Sequence, residues 1–289
     1  MSKAKKVGFF RRFKHNKGAL VAMIILLLLV IVTIFAPVFA TYDPAKTSLK
    51  DIKSAPTLVS EDGGIPHFLG TDQLGRDIYS RLVYGARATL KIAFSVTAIG
   101  SVIGVILGLI AGYFGGWADM VIMRIVDVWS SSPTFLVSLA LVMVLGPGET
   151  TLIIAFVFSS WTLFCKMARS QVLTIRGSTM VESGQAIGAS TKRILFRHIV
   201  PNIISPLITT FVMQLANFIN AEANLSFLGF GVQAPSTSWG LMIGDGKQYI
   251  TNAWWIVLFP GLMIGITVLC LNLVGNWIRE EFDPLSVKL

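Results

Sequence analysis

Six runs of apolar residues constrain this chain more than anything else in it: 19–39, 89–113, 120–145, 150–168, 203–228 and 253–277. Each is close to the ~20 residues a helix needs to cross a bilayer, and the longer ones can tilt. A bilayer core offers no water to backbone N–H and C=O groups, so runs of this length are expected as helices. The overall balance agrees. Of the 289 residues, 54% are apolar and 13% charged, against about 45–50% and about 25% in soluble domains. Mean hydropathy is +0.71. The expected fold is all-α: a polytopic membrane protein with six transmembrane helices. The first run has a competing reading as a signal peptide, because MSKAKKVGFFRRFKHNKG precedes it as a basic leader. It exceeds the roughly 7–15 apolar residues of such a signal, which favours a retained helix.

Lysine and arginine in the short loops set the expected orientation. The first 18 residues carry seven basic residues and no acid. Residues 166–201 carry six (Lys166, Arg169, Arg176, Lys192, Arg193, Arg197) against one acid, Glu182. The long segment 41–88 has six of each sign and fits the outer side. With six spans, both termini and residues 166–201 share one side, expected to be the cytoplasm. The net charge of +9 therefore sits beside apolar runs, a pattern of membrane topology and not of a nucleic-acid footprint. Cys165 and Cys270 lie inside apolar runs and read as small buried hydrophobes. His15, His67 and His198 are too scattered to suggest a metal site.

Polar groups at membrane depth are costly and mark cavities, partners or interfaces. Gln214, Asn217, Asn220 and Asn224 fall within a stripe roughly 120° wide at about 100° per residue. Such a stripe lines a candidate translocation path or makes a polar contact with another helix. Glu222 lies off the stripe near the outer end, where it is expected to reach water. Arg124 and Asp127, three apart in the third span, form a candidate intramembrane ion pair, or an interfacial pair that snorkels. Pro133, preceded by three serines, predicts a kink in that span. Gly100, Gly104, Gly108 and Gly112 recur every four residues and predict a ridge for close helix packing. Gly244-Asp245-Gly246 reads as a turn.

One segment is left over. VESGQAIGASTKRILFRHIVPN, residues 181–202, is helical in pattern but too short to span and without reactive groups. The chain has no G-x-x-x-x-G-K-[ST] loop, so no ATP site is expected in it. No Cys/His spacing suggests zinc. An intramembrane enzyme or a channel stands as a distant alternative. No second aspartate is placed to pair with Asp245, and no filter-like repeat or charged ring is visible.

That segment resembles the EAA loop of type I ABC-importer permeases, whose pattern is Glu-Ala-Ala, three residues, Gly, and later Leu-Pro. Glu182, Gly188 and Pro201 match it. Ser183 and Gly184 replace the alanines, and Val200 replaces the leucine. The stretches FLGTDQLGRDIYSRLVYGAR (68–87), GYFGGWADMVIMRIVD (112–127), SFLGFGVQAPSTSWG (226–240), AWWIVLFPGL (253–262) and the NLVGNWIREEFDPL tail are similar to the C-type permease subunit of dipeptide and oligopeptide importers. Asn276 stands where relatives often have Asp.

The resemblance implies the type I importer permease fold and a division into three. Residues 1–88 would hold the basic cytoplasmic N-terminus, first helix and large outer loop. Residues 89–278 would form a five-helix core carrying the loop at about 169–202, and 279–289 a short cytoplasmic tail. The implied partners are a second related permease, two ABC ATPases that bind the ATP and magnesium, an extracytoplasmic binding protein, and membrane lipid. No cofactor and no nucleic acid is implied for this chain. The implied place is the bacterial inner membrane. Glu182, Ser183, Gly184, Ala186, Gly188 and Pro201 would form the ATPase-coupling loop. The substrate would be a peptide, with nickel, a metallophore or glutathione as alternatives from the same subfamily.

Overall fold

The computed structural model describes residues 16–59 and 65–282, the last by its backbone only. The basic leader with His15, and the tail from Asp283 onward, lie outside the described residues. Within them the chain is helical, and its β-type pairing is one isolated bridge, Thr71 to Asp77. The helices are α1 (Lys17–Ile34), α2 (Ala36–Phe39), α3 (Ile78–Phe114), α4 (Gly116–Ser130), α5 (Thr134–Leu145), α6 (Glu149–Arg176), α7 (Thr179–Ala186), α8 (Thr191–Ile194), α9 (Val200–Phe227), α10 (Trp239–Gly246) and α11 (Trp255–Phe282). A π-helical turn, Leu195–Ile199, joins α8 to α9. Five helices are long and apolar enough to cross a membrane, the α8–α9 unit counting as one. The bent pair α4 and α5 supplies a sixth crossing.

Pro133 breaks that third span by 78°. It carries no N–H and its ring clashes with the preceding turn, so the helix cannot run through it. Ser131 Oγ donates to the Val128 carbonyl at 2.7 Å, satisfying a group the break leaves open. The glycine ridge is where α3 meets α6. A Cβ on Gly108 would lie 2.5 Å from the Cys165 carbonyl oxygen, and one on Gly112 would lie 2.7 Å from Val172 Cβ. Only hydrogen at these positions lets the two backbones approach so closely. Cys165 and Cys270 are both buried free thiols.

Three boundaries differ from the apolar runs, each for a physical reason. Span two begins at Ile78 and not at Thr89, so residues 78–88 are helix and not loop. Asp77 caps it, accepting the Ser80 N–H at 2.7 Å, and its first turns bury both Ile78 and the charged Arg81. Charge hid this helix from a hydropathy reading. Span five is continuous from Thr191. Pro201 is tolerated because the wide π turn before it lets Val200 N–H reach the Leu195 carbonyl. The first run is interrupted at Phe35, where α1 gives way to the short α2 holding Pro37.

The helices run up and down, so the bundle has two ends. One carries Lys17, Phe114, Arg176 to Val200 and Phe282, and is called here the loop end. The other carries Ile34 to Ile78, Leu145 to Glu149 and Phe227 to Trp255, and is called the knot end.

Candidate functional site

At mid-depth, α4, α5, α6 and α9 enclose a polar groove of about 460 Å³. Its wall includes Ser130 and Thr134 on either side of the broken span, Ser160 and Lys166 from α6, and Gln214 and Asn217 from α9. The break in the third span places these hydroxyls there. Lys166 Nζ donates to Ser130 Oγ at 3.0 Å, and Asn217 Nδ2 donates to Gln214 Oε1 at 2.5 Å. Hydroxyls, amides and one ammonium, with no carboxylate in the wall, suit a polar solute or a column of water. Asn220 and Asn224 continue the stripe toward the knot end, both exposed.

Arg124 and Asp127 are also exposed, and they make no ion pair with each other. The ion pair of this region lies between α4 and α6. Arg169 of α6 grips Asp119 of α4 with two bonds, Nε to Oδ1 at 2.5 Å and Nη2 to Oδ2 at 2.6 Å. A forked contact of this kind fixes orientation as well as distance. The forked pair joins two other residues, 50 positions apart, which spacing within one helix does not link.

At the loop end, α7, a turn at Gly188 and α8 make a helix–turn–helix. Gly188 has φ +74°, the left-handed region that glycine enters freely. Ser190 takes the cap position in extended conformation without a side-chain cap bond. Val181 and Ile194 meet Val172, Ile199 and Ile203 in one apolar cluster, which ties the loop to the ends of α6 and α9. Gly184, one of the expected coupling-loop residues, is buried toward Ile194. A Cβ there would meet Ile194 Cγ1 at 3.8 Å, an ordinary contact, so alanine fits between α7 and α8. Glu182, Ser183, Ala186 and Gly188 do face outward. Beside them project two apolar side chains that the small-residue pattern did not single out, Ile187 at 82% exposed and Phe196 at 69%. Pro201 sits in the first turn of α9, half a loop away from this face.

At the knot end the structure assembles a buried charge cluster. Asp72 is fully buried and receives Arg76 Nε at 2.6 Å and the guanidinium of Arg81. Asp245 Oδ2 completes the set, 3.1 Å from both arginines. Gly244-Asp245-Gly246 is therefore not a turn. It ends α10, which holds its carboxylate over α3. Two cations and two carboxylates balance, as buried charge requires. Asp77 takes a further bond from His67 Nδ1 at 2.8 Å. Next to this cluster Glu222, expected to reach water, is 0% exposed. Ser226 Oγ donates to it at 2.6 Å and Thr89 Oγ1 at 3.3 Å. Trp239 closes the site, with Nε1 donating to the Leu82 carbonyl at 3.0 Å. The sequence offered one signal, the acid–base alternation in TDQLGRDIYSR.

The comparisons with known proteins point one way. A family described as binding-protein-dependent transport system inner membrane component matches residues 104–287. The N-terminal TM domain of oligopeptide transport permease C matches residues 7–56. The di/tripeptide transport system permease protein DppC of Pseudomonas aeruginosa is 39% identical over 276 residues, 96% of this chain and 91% of that protein. The oligopeptide transport system permease protein OppC of Bacillus subtilis is 40% identical, over 94% of this chain and 87% of that one. The glutathione transport system permease protein GsiD of Escherichia coli is 39% identical, over 96% and 89%. Among solved structures, the inward-facing MetNI methionine ABC transporter aligns with a TM-score of 0.57 at 19% identity, over 70% of this chain and 96% of that chain. That likeness is one of fold.

Proposed function

Because the chain belongs to the family of binding-protein-dependent transport system inner membrane components, we propose that it lines, with a second permease, a path for dipeptides or oligopeptides. The chain is a multi-pass permease subunit of a bacterial ABC importer, a transport component and not an enzyme. In the proposed assembly two ATPases bind ATP and magnesium and dock on the α7–α8 face. A binding protein delivers substrate at the knot end. The loop end then faces the cytoplasm of a bacterial inner membrane, in keeping with Lys192, Arg193 and Arg197 beside it.

One observation carries the mechanical part. The exposed face at Glu182 and Ile187 belongs to a helix whose buried side shares a single apolar cluster with α6 and α9. Displacing α7 must move the ends of both spans or break that cluster. Packed interfaces switch between discrete arrangements, so a push there can rock the spans as rigid bodies and open the groove to alternate sides. Groove polarity supports a hydrated solute. The DppC and OppC relatives support a peptide, and the GsiD relative supports glutathione as the second reading.

The test is transport in proteoliposomes containing both permeases, both ATPases and the binding protein. ATP-dependent uptake of a labelled dipeptide or oligopeptide is expected, together with protection of Asn217→Cys from aqueous thiol reagents by bound substrate. Preference for glutathione over peptides selects the second reading. Uptake without ATP, or Asn217→Cys inaccessible in every nucleotide state, overturns the path.

A further inference from the structure

α1 lies against the bundle unevenly. Near its start, Ala22 packs on Cys270 and Val274 of α11, and the small side chain brings the two helices together. Further along, a cleft of about 640 Å³ lies between α1, α3, α9 and α11. Leu29 and Thr33 of α1, Leu90 and Phe94 of α3, Leu215 of α9 and Leu271 of α11 contribute to its apolar wall. The mouth of the cleft lies toward the knot end and is not apolar. Arg87 and Lys91, four apart on one face of α3, line it. The same two residues also line a second, polar cavity of about 380 Å³, with hydroxyls from Tyr84, Ser236 and Thr237.

The charges at this mouth do not cancel. Lys91 Nζ stands 2.7 Å from Glu149 Oε1, and Glu149 is the carboxylate that lines the polar cavity. Arg87 donates to the Ile34 carbonyl at 3.3 Å and lies 5.9 Å from the Tyr84 ring centroid. Among the described residues no carboxylate comes within ion-pair distance of it. Arg87 and Lys91 against Glu149 leave one positive charge in excess. An apolar slot sharing Arg87 and Lys91 with a polar cavity, and carrying a surplus cation, matches an amphiphile with an anionic head. The surplus cation at the mouth of an apolar slot favours a lipid over an apolar helix from another chain.

We propose that this site holds one anionic glycerophospholipid, its phosphate between Arg87 and Lys91 and an acyl chain between α1 and α3. The lipid would complete the packing that α1 lacks along its second half.

Native mass spectrometry of the purified complex tests this, after exchange into nanodiscs of equal phosphatidylglycerol and phosphatidylethanolamine with identical chains. Retention of phosphatidylglycerol over phosphatidylethanolamine by about fivefold is expected, the scale of one uncompensated cation at a lipid surface. Arg87→Gln with Lys91→Gln should bring that ratio to about one. Lys247→Gln, a cation at the same end but outside the cleft, should leave it unchanged. Thr33→Trp fills the cleft from the peripheral helix, where misfolding is least at risk, and should release both lipids. Equal retention of the two lipids by the unaltered protein overturns the proposal. So does a preference that survives the double substitution, or a Thr33→Cys crosslink showing another protein chain seated in the cleft.

Discussion

The two ends of this bundle are built on opposite principles. The knot end is tied across the sequence by charge: Asp72, Arg76, Arg81 and Asp245 join the segment before α3, α3 itself and α10. Beneath them Glu222, Thr89, Ser226 and Trp239 join α9, α3 and α10 with hydrogen bonds. At the loop end the forked Arg169–Asp119 pair ties α6 to α4, but the segment 177–200 is held by a cluster of five buried aliphatic residues, Val172, Val181, Ile194, Ile199 and Ile203. Among the described residues no ion pair holds 177–200 in place. Buried, directional bonds permit one arrangement, whereas an aliphatic cluster can slide and repack. The contrast separates a part that must keep its shape from a part that can transmit displacement.

Asp72→Ala should break the comparison most severely. It leaves Arg76 and Arg81 facing Asp245 alone, and removing one partner of a buried pair costs about 3–5 kcal/mol. The expected result is little monodisperse protein in size-exclusion profiles and a collapsed thermal transition. Replacing both members, Asp72→Leu with Arg81→Met, should recover much of the loss because no lone charge remains buried. If the single substitution is tolerated, the knot is not the rigid end.

Gly108→Val comes next and acts between the two ends. Its Cβ would sit 2.7 Å from Ala168 Cβ, so α3 and α6 must part. Overpacking of this kind costs about 1–3 kcal/mol. A fall in melting temperature without loss of helical circular dichroism is expected, and an unchanged melting temperature would show that the ridge is loose.

How legible was this in the sequence? The spans, the break at Pro133 and the α3–α6 ridge were, because each depends on local periodicity or on one residue's covalent geometry. The helical segment 78–88 was not, since it carries Arg81 and Arg87, and hydropathy counts a charge the same way whether it is paired or free. The partnership of Arg169 with Asp119 and of Asp245 with Arg81 was not legible either. Such pairs are 50 and 164 positions apart, and nothing in a single sequence links them. For the site, the motif marked where the helix–turn–helix and its glycine turn at Gly188 would fall. It did not mark the burial of Gly184 or the exposure of Ile187 and Phe196, because the turn at Gly188 decides which face of α7 meets α8.

Gly188→Ala probes the flexible end with a smaller energy. A left-handed conformation costs a residue with a Cβ roughly 1–2 kcal/mol. Since nothing lies within 4 Å of the added carbon, that cost stays local to the turn. The melting temperature should fall by only a few degrees, while substrate-stimulated ATP hydrolysis in the reconstituted complex falls severalfold. Full stimulation would show that the turn can relax without disturbing the docking face.

Ile187→Ser should have the smallest effect on the fold and still be informative. Its side chain is 82% exposed, so its truncation removes no packing, and surface changes of this sort stay within about 0.5 kcal/mol. An apolar side chain standing that far out of a short helix has a reason to exist only when something covers it. If an ATPase groove does, Ile187 acts as an anchor in that contact, where truncation costs more than about 1 kcal/mol, or several-fold in affinity. Co-purification of the ATPases should therefore weaken while the melting temperature of the isolated chain stays the same. The same substitution at an exposed residue inside α3 such as Ile106, 52% exposed, should leave co-purification intact. If Ile187→Ser also leaves it intact, the loop end is a bare surface. Its lack of buried bonds would then be a weakness of the fold, without any mechanical use.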